Sequence, residues 1–276
     1  MVRRFRSLRP LSLLSTLPLL CLLALFLPRA AGAAQGDALH QLSCMQALSA
    51  GVYDGARPLE ALRAEGDFGI GTFQNLDGDM IYLEGLFYQV RGDGWTVRPD
   101  ARTLSPFAMI VRFRPDRTFR VGYAKDYEGL RFLLDGSGDP ASPTRVGNPN
   151  CFQAIRIDGR FPYLRIRSVD PQKKPYPPLA KALQAGQRVW ERRDVEGTLV
   201  GFRCPAYVGG VNAAGYHFHF LSKDRTFGGH MLECTLDHAT AQVQELTELR
   251  MILPDTEGFR SADLSPTGPA EAPHNP

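Results

Sequence analysis

Short runs of β-branched and aromatic residues, each closed by a tight-turn pair, leave this chain few options other than antiparallel hairpins. Gly69-Ile70-Gly71-Thr72-Phe73 is followed by a turn at residues 75–78, then by Met80-Ile81-Tyr82-Leu83, the pair Glu84-Gly85, and Leu86-Phe87-Tyr88-Gln89-Val90. Runs of this length, broken by Asp-Gly and Glu-Gly, are the mark of strands joined by tight turns. Arg91-Gly92-Asp93-Gly94 makes a further turn, and residues 107–113 a further strand. Strand-like text resumes at 151–157, 163–169, 197–204, 216–221, 230–236 and 242–253, and helices are expected at 42–48, 127–134 and 178–184. Residues 135–149 are crowded with Gly, Pro, Ser and Asp, which favours turns over a packed element. They set the expected boundary between an N-terminal sheet domain, 35–147, and a C-terminal sheet domain, 148–276. The fold class is therefore expected to be mixed, β-rich α/β, in two domains built on mixed or antiparallel sheets.

Residues 1–34 read as a secretory signal. Arg3, Arg4, Arg6 and Arg9 precede an apolar stretch at 11–27, and small residues around Ala31-Gly32-Ala33 offer a cleavage site. The stretch is near the short end for spanning a bilayer, so a cleaved leader is preferred to a retained anchor. Export to the periplasm or the medium follows, with no membrane association after cleavage. The leader also carries the charge: of 32 Lys and Arg, five sit at Arg3, Arg4, Arg6, Arg9 and Arg29, while all 29 Asp and Glu lie beyond it. The mature chain is close to neutral, which removes any charge-based case for nucleic acid. Cys44, Cys151, Cys204 and Cys234 would enter an oxidising compartment, where their pairing is open.

Histidine is scarce, six in all, yet three fall close together as His217-Phe218-His219 and His230. In a strand, successive side chains alternate between faces, so His217 and His219 point one way while Phe218 and Phe220 point the other. Ser222-Lys223-Asp224-Arg225-Thr226 is turn-prone and Gly228-Gly229 loosens the return. A chain folding back about Asp224 and Arg225 sets His230 opposite His219 on the ligand face. Three protein ligands with open positions is the arrangement of a catalytic metal site, whereas structural zinc sites are usually closed by four. Cys234 shares the parity of His230 but lies about two pleats away and reads as a buried thiol. His40, His238 and His274 lack partners at useful spacing and read as surface residues.

Beyond the histidines, the motifs Gly66-Asp67-Phe68-Gly69-Ile70-Gly71-Thr72-Phe73, Leu76-Asp77-Gly78, Ala154-Ile155-Arg156-Ile157-Asp158-Gly159, Lys174-Pro175-Tyr176, Gly197-Thr198-Leu199-Val200-Gly201-Phe202 and Ala214-Gly215-Tyr216-His217-Phe218-His219-Phe220 follow in order, ending with Gly228-Gly229-His230. In that order they resemble the α-acetolactate decarboxylase family, over nearly all of the mature chain to about residue 264. The resemblance implies two β-rich domains, a homodimer, and conversion of 2-acetolactate to acetoin and carbon dioxide with a zinc ion, or another divalent metal, on His217, His219 and His230. It implies an active-site arginine at Arg167 rather than at Arg165, which has the same strand parity. The family's first acidic residue corresponds to Asp79, where a glutamate is usual, so the carboxylate is kept and its reach falls by one methylene. A second acidic residue from the tail corresponds to Glu271.

A metal with open positions would accept charge as carbon dioxide leaves, stabilising an enediolate without an organic cofactor. Arg167 suits the departing carboxylate, and Asp79 or Glu271 would supply the proton. A zinc hydrolase is disfavoured because no His-Glu-x-x-His run is present. The alternative from another class is an exported, non-catalytic zinc-binding protein, which would not need Arg167 or Asp79.

Overall fold

Glu84 and Gly85 both adopt positive φ, 55° and 75°, the geometry of a two-residue turn whose twist matches its flanking strands. They join strands that pair from Leu83↔Leu86 to Asp79↔Val90, and this hairpin anchors the first of two sheets. The computed structural model describes residues 38–139 and 142–265; the leader at 1–34 and Glu271 lie outside the described residues. In chain order the elements are β1 (Ala38–Leu42), α1 (Met45–Ser49), β2 (Arg57–Pro58), α2 (Leu59–Arg63), β3 (Phe68–Thr72), β4 (Asp79–Leu83), β5 (Leu86–Val90), β6 (Thr96–Val97), β7 (Leu104–Ser105), β8 (Phe107–Val111) and β9 (Arg117–Val121). They continue as α3 (Tyr127–Leu134), β10 (Phe152–Val169), α4 (Leu179–Gly186), β11 (Gln187–Cys204), β12 (Gly215–Ser222), β13 (Gly228–Leu246), β14 (Glu248–Ile252) and α5 (Glu257–Ser261). No helix among the described residues is long and apolar enough to cross a membrane.

The first sheet has the order β14-β1-β8-β3-β4-β5-β6, mixed because β1 runs parallel to β14 and antiparallel to β8. Every residue of β4 is buried, as expected of an inner strand covered on both faces. Met80 and Tyr82 pack into one cluster with Phe73, Phe87 and Ile110. Ile81 and Leu83, of opposite parity, join a second cluster that also holds Val200, Phe202 and Leu221 of the other sheet. Asp79 shares the parity of Ile81, so it faces the second sheet.

In that second sheet, β10 pairs with β11 along one edge and with β13 along the other, while β12 bridges β11 and β13. The four strands thus close on themselves, and β9 adds to the outer side of β13. A core of Ile155, Ile157, Leu164, Phe218, Phe220 and Met231, among others, fills one side of this sheet. β9 precedes residue 148 yet pairs with β13, and β14 follows it yet pairs with β1, so each sheet takes a strand from the other half of the chain.

Several elements depart from the sequence expectations. The helix expected at 42–48 is present but starts later, at Met45–Ser49, because Leu42 ends β1, which is held between β8 and β14. The two strands expected at 151–157 and 163–169 are one strand of 18 residues, and residues 187–196 extend β11 where no strand was expected. His40 is not a surface residue: its side chain is 14% exposed and its Nδ1 lies 2.8 Å from Glu65. Cys44, Cys151, Cys204 and Cys234 are all free thiols.

Candidate metal centre

The alternation of β12 places Phe218 and Phe220 in the hydrophobic core and turns His217 and His219 to the opposite face, towards β4. The hairpin back into β13 pairs His219 with His230 and Phe220 with Gly229. Gly229 is required there: its φ is +156°, and a Cβ would meet the Arg167 carbonyl oxygen at 2.6 Å. That close approach keeps β13 against β10, where His230 lies opposite Arg167.

The three imidazoles converge. Their ring centroids are 5.1 Å, 4.7 Å and 5.5 Å apart, and one ligand nitrogen from each lies within 4.8 Å of the others, a group that could hold a metal ion. His219 is buried and donates its Nδ1 hydrogen to the Met80 carbonyl oxygen, 2.8 Å away. The bond fixes the tautomer and leaves Nε2 as the electron-pair donor. His217 Nε2 and His230 Nδ1 are 3.0 Å apart, a distance that needs one of the two nitrogens to be unprotonated. Burial, together with neighbouring imidazoles and the Arg167 cation, holds His217 and His230 well below the usual imidazole range, and burial pushes His219 down to about 4. All three are therefore neutral near pH 7, the form that binds metal.

Asp79 reaches the same group from β4. Its Oδ1 is 3.8 Å from His219 Nε2, and its Oδ2 is buried without a hydrogen-bond partner. Burial pushes the carboxyl up to about 6, against the pull of Arg167. The Arg167 guanidinium is itself lowered by burial and supported by Asp79. Asp79, Arg167 and the three histidines line one cavity of about 500 Å³, closed on another side by Leu179 and Leu183 of α4. Three neutral imidazoles beside an unsatisfied buried carboxylate oxygen are a donor set that fits a divalent cation.

The sequence-predicted residues His217, His219, His230, Asp79 and Arg167 are thus brought together, while Cys234 is turned into the core. Sequence reasoning missed four contributors. The Met80 carbonyl carries no side-chain signal. Leu179 and Leu183 look like ordinary helix-core residues. Arg165 lines the cavity beside Arg167; strand parity puts both on one face but does not say which face is the cavity.

A sequence profile described as alpha-acetolactate decarboxylase matches residues 39–266. The alpha-acetolactate decarboxylase of Methylococcus capsulatus is 42% identical over 82% of this chain and 84% of its own. That of Methanosarcina mazei is 40% identical over 83% and 76%. The crystal structure of alpha-acetolactate decarboxylase from Bacillus subtilis strain 168 superposes with a TM-score of 0.77 at 36% identity, covering 83% of this chain and 94% of that one. With the profile spanning most of the chain and relatives this similar along their own lengths, the chain belongs to the alpha-acetolactate decarboxylase family.

Proposed function

We propose that the cavity converts 2-acetolactate to acetoin and carbon dioxide with a divalent cation, zinc being the best match to three imidazoles, held by His217, His219 and His230. The observation that carries this reading is the meeting of those imidazoles, Arg167 and Asp79 around one cavity in a chain of this family. When bound, the cation supplies a Lewis acid for the oxygens of the substrate.

The chain's own residues divide the remaining work. Arg167 presents a planar fork that matches a carboxylate, so it binds and orients the group that leaves. As the bond to that carboxylate breaks, carbon dioxide departs and its electron pair stays on the substrate as an enediolate. Asp79, with its pKa near 6, is placed to return one proton to carbon and complete acetoin. Leu179 and Leu183 offer apolar walls to the methyl groups and exclude water from the charged centre.

The sequence of residues 1–34 supports export with cleavage as part of the same proposal. Acetoin release after addition of 2-acetolactate, followed colorimetrically in the wild type and in His217→Ala, tests the function. The expected result is turnover in the wild type and none in the variant, with the variant's bound metal lost. A wild type that binds metal but releases no acetoin would favour a non-catalytic metal-binding protein.

A further inference from the structure

Arg165 projects from β10 on the same side as Arg167, and the residues flanking and separating them, Leu164 and Ile166, are buried in the core. Two residues of extended strand place it about 7 Å further along from the imidazoles. Its cross-strand neighbours are Glu191 on β11 and Glu233 on β13, a setting in which an opposite-charge pair would be expected. Neither carboxylate pairs with it. Glu233 accepts the backbone N–H groups of Tyr127 and Cys234, and Glu191 lies close enough to Tyr163 to raise the pKa of its hydroxyl. Among the described residues Arg165 has no hydrogen-bond or ion-pair partner, yet it lines the cavity. The charged side chains of that cavity are Asp79, Arg165 and Arg167, so with neutral imidazoles the space carries excess positive charge.

We propose that Arg165 is a substrate-binding residue that receives the carboxylate of the incoming 2-acetolactate and passes it to Arg167. The role rests on the decarboxylase reading, and it gives that site a means of telling substrate from product. The substrate carries one negative charge; acetoin and carbon dioxide carry none. A free guanidinium on the approach therefore attracts what must enter and has no hold on what must leave.

Steady-state kinetics of Arg165→Met and Arg165→Lys, with acetoin as a product inhibitor, test the assignment. Loss of the docking charge should raise KM for 2-acetolactate about tenfold in Arg165→Met, with kcat changed by less than about twofold, because the carboxylate rests on Arg167, not on Arg165, when the bond breaks. The inhibition constant for acetoin should not move, and Arg165→Lys should recover most of the affinity. An unchanged KM overturns the proposal, as does a parallel rise in the acetoin inhibition constant, which marks a general disturbance of the cavity. Should Arg165→Met fail to fold, Arg165→Gln removes the same charge and carries the same outcomes. A wild type that yields no acetoin sinks the decarboxylase reading and this role with it; normal turnover with unaltered Arg165 variants sinks this role alone.

Discussion

His219 hooks the β12–β13 hairpin of the second sheet to the first sheet by donating its Nδ1 hydrogen to the Met80 carbonyl, 2.8 Å away. Because Asp79 precedes Met80, the same bond that aims His219 Nε2 also sets that nitrogen 3.8 Å from the Asp79 carboxylate. His219→Ala should therefore lose a ligand, the alignment of the carboxylate and a buried hydrogen bond together. The expected fall in activity exceeds the roughly 10- to 100-fold that loss of an outer hydrogen-bond partner costs. Turnover and metal content of the purified variant check this, and full metal occupancy would contradict it.

Metal removal should act on activity and stability at once. The folded chain gathers three neutral imidazoles that the unfolded chain does not, so free cation favours the folded state by about 2.7 kcal/mol at one hundred times its dissociation constant. A chelator is expected to abolish acetoin release and lower the melting temperature, and added zinc to restore both. Calorimetry with and without chelator reads the shift directly; no shift would mean that the imidazoles do not share an ion.

Asp79→Asn separates function from stability. The carboxylate is 8% exposed with one oxygen unsatisfied, and an amide of the same shape removes a buried charge. Burial raises the carboxyl's pKa to about 6, so its charged form weighs against the fold above that pH; although the amide leaves the same position unsatisfied, the metal-free variant should melt above the metal-free wild type at about pH 7–8. Turnover should fall about 10²- to 10⁴-fold for want of a proton donor. Asp79→Glu, which keeps the carboxyl group and adds one methylene, should keep activity.

Much of this site was legible in the sequence, because it rests on strand alternation and one hairpin register. His217, His219 and His230 share a face for the same reason that Phe218 and Phe220 share the core. The unread parts fail for identifiable reasons. Residues 187–196 of β11, Gln-Arg-Val-Trp-Glu-Arg-Arg-Asp-Val-Glu, are exposed or half-buried throughout, so no apolar alternation marks them as a strand. The gap between the strands expected at 151–157 and 163–169 holds Gly159, which lies inside β10 where a Cβ would meet that of Ala239 at 2.7 Å. The glycine serves close strand packing rather than a reversal. Arg117–Val121 is a mostly exposed strand paired on β13 alone; only Phe119 and Val121 turn towards the core, an alternation too short to mark a strand.

Gly229→Ala should damage the centre without touching a ligand. The added methyl would press on the Arg167 carbonyl at 2.6 Å from a backbone φ of +156°, a cost of more than about 1 kcal/mol where alanine cannot adopt the native conformation. Relief requires β13 to move from β10, which carries His230 away from Arg167. A melting temperature lowered by several degrees, together with weaker metal binding, is the expected outcome. Unchanged values for both would show that the close approach is not needed.

Arg167→Ala is the variant that separates holding the cation from using it. Arg167 lies opposite His230 across β10 and β13, but an arginine donates hydrogen bonds and never an electron pair, so its loss removes no ligand. The cationic side chain also opposes protonation of all three histidines, so its removal leaves them no less able to bind metal once pH is above their ordinary range. What disappears is the planar fork to which we assign the departing carboxylate. Turnover should therefore fall about 10²- to 10³-fold, the loss typical of one preorganised donor at a site of developing charge. Arg167→Lys should recover little, since an ammonium reproduces the charge but not the planar pair of donors. Metal analysis beside single-turnover kinetics decides the matter: unaltered metal with slowed decarboxylation is expected, whereas loss of metal would make Arg167 a structural support of His230.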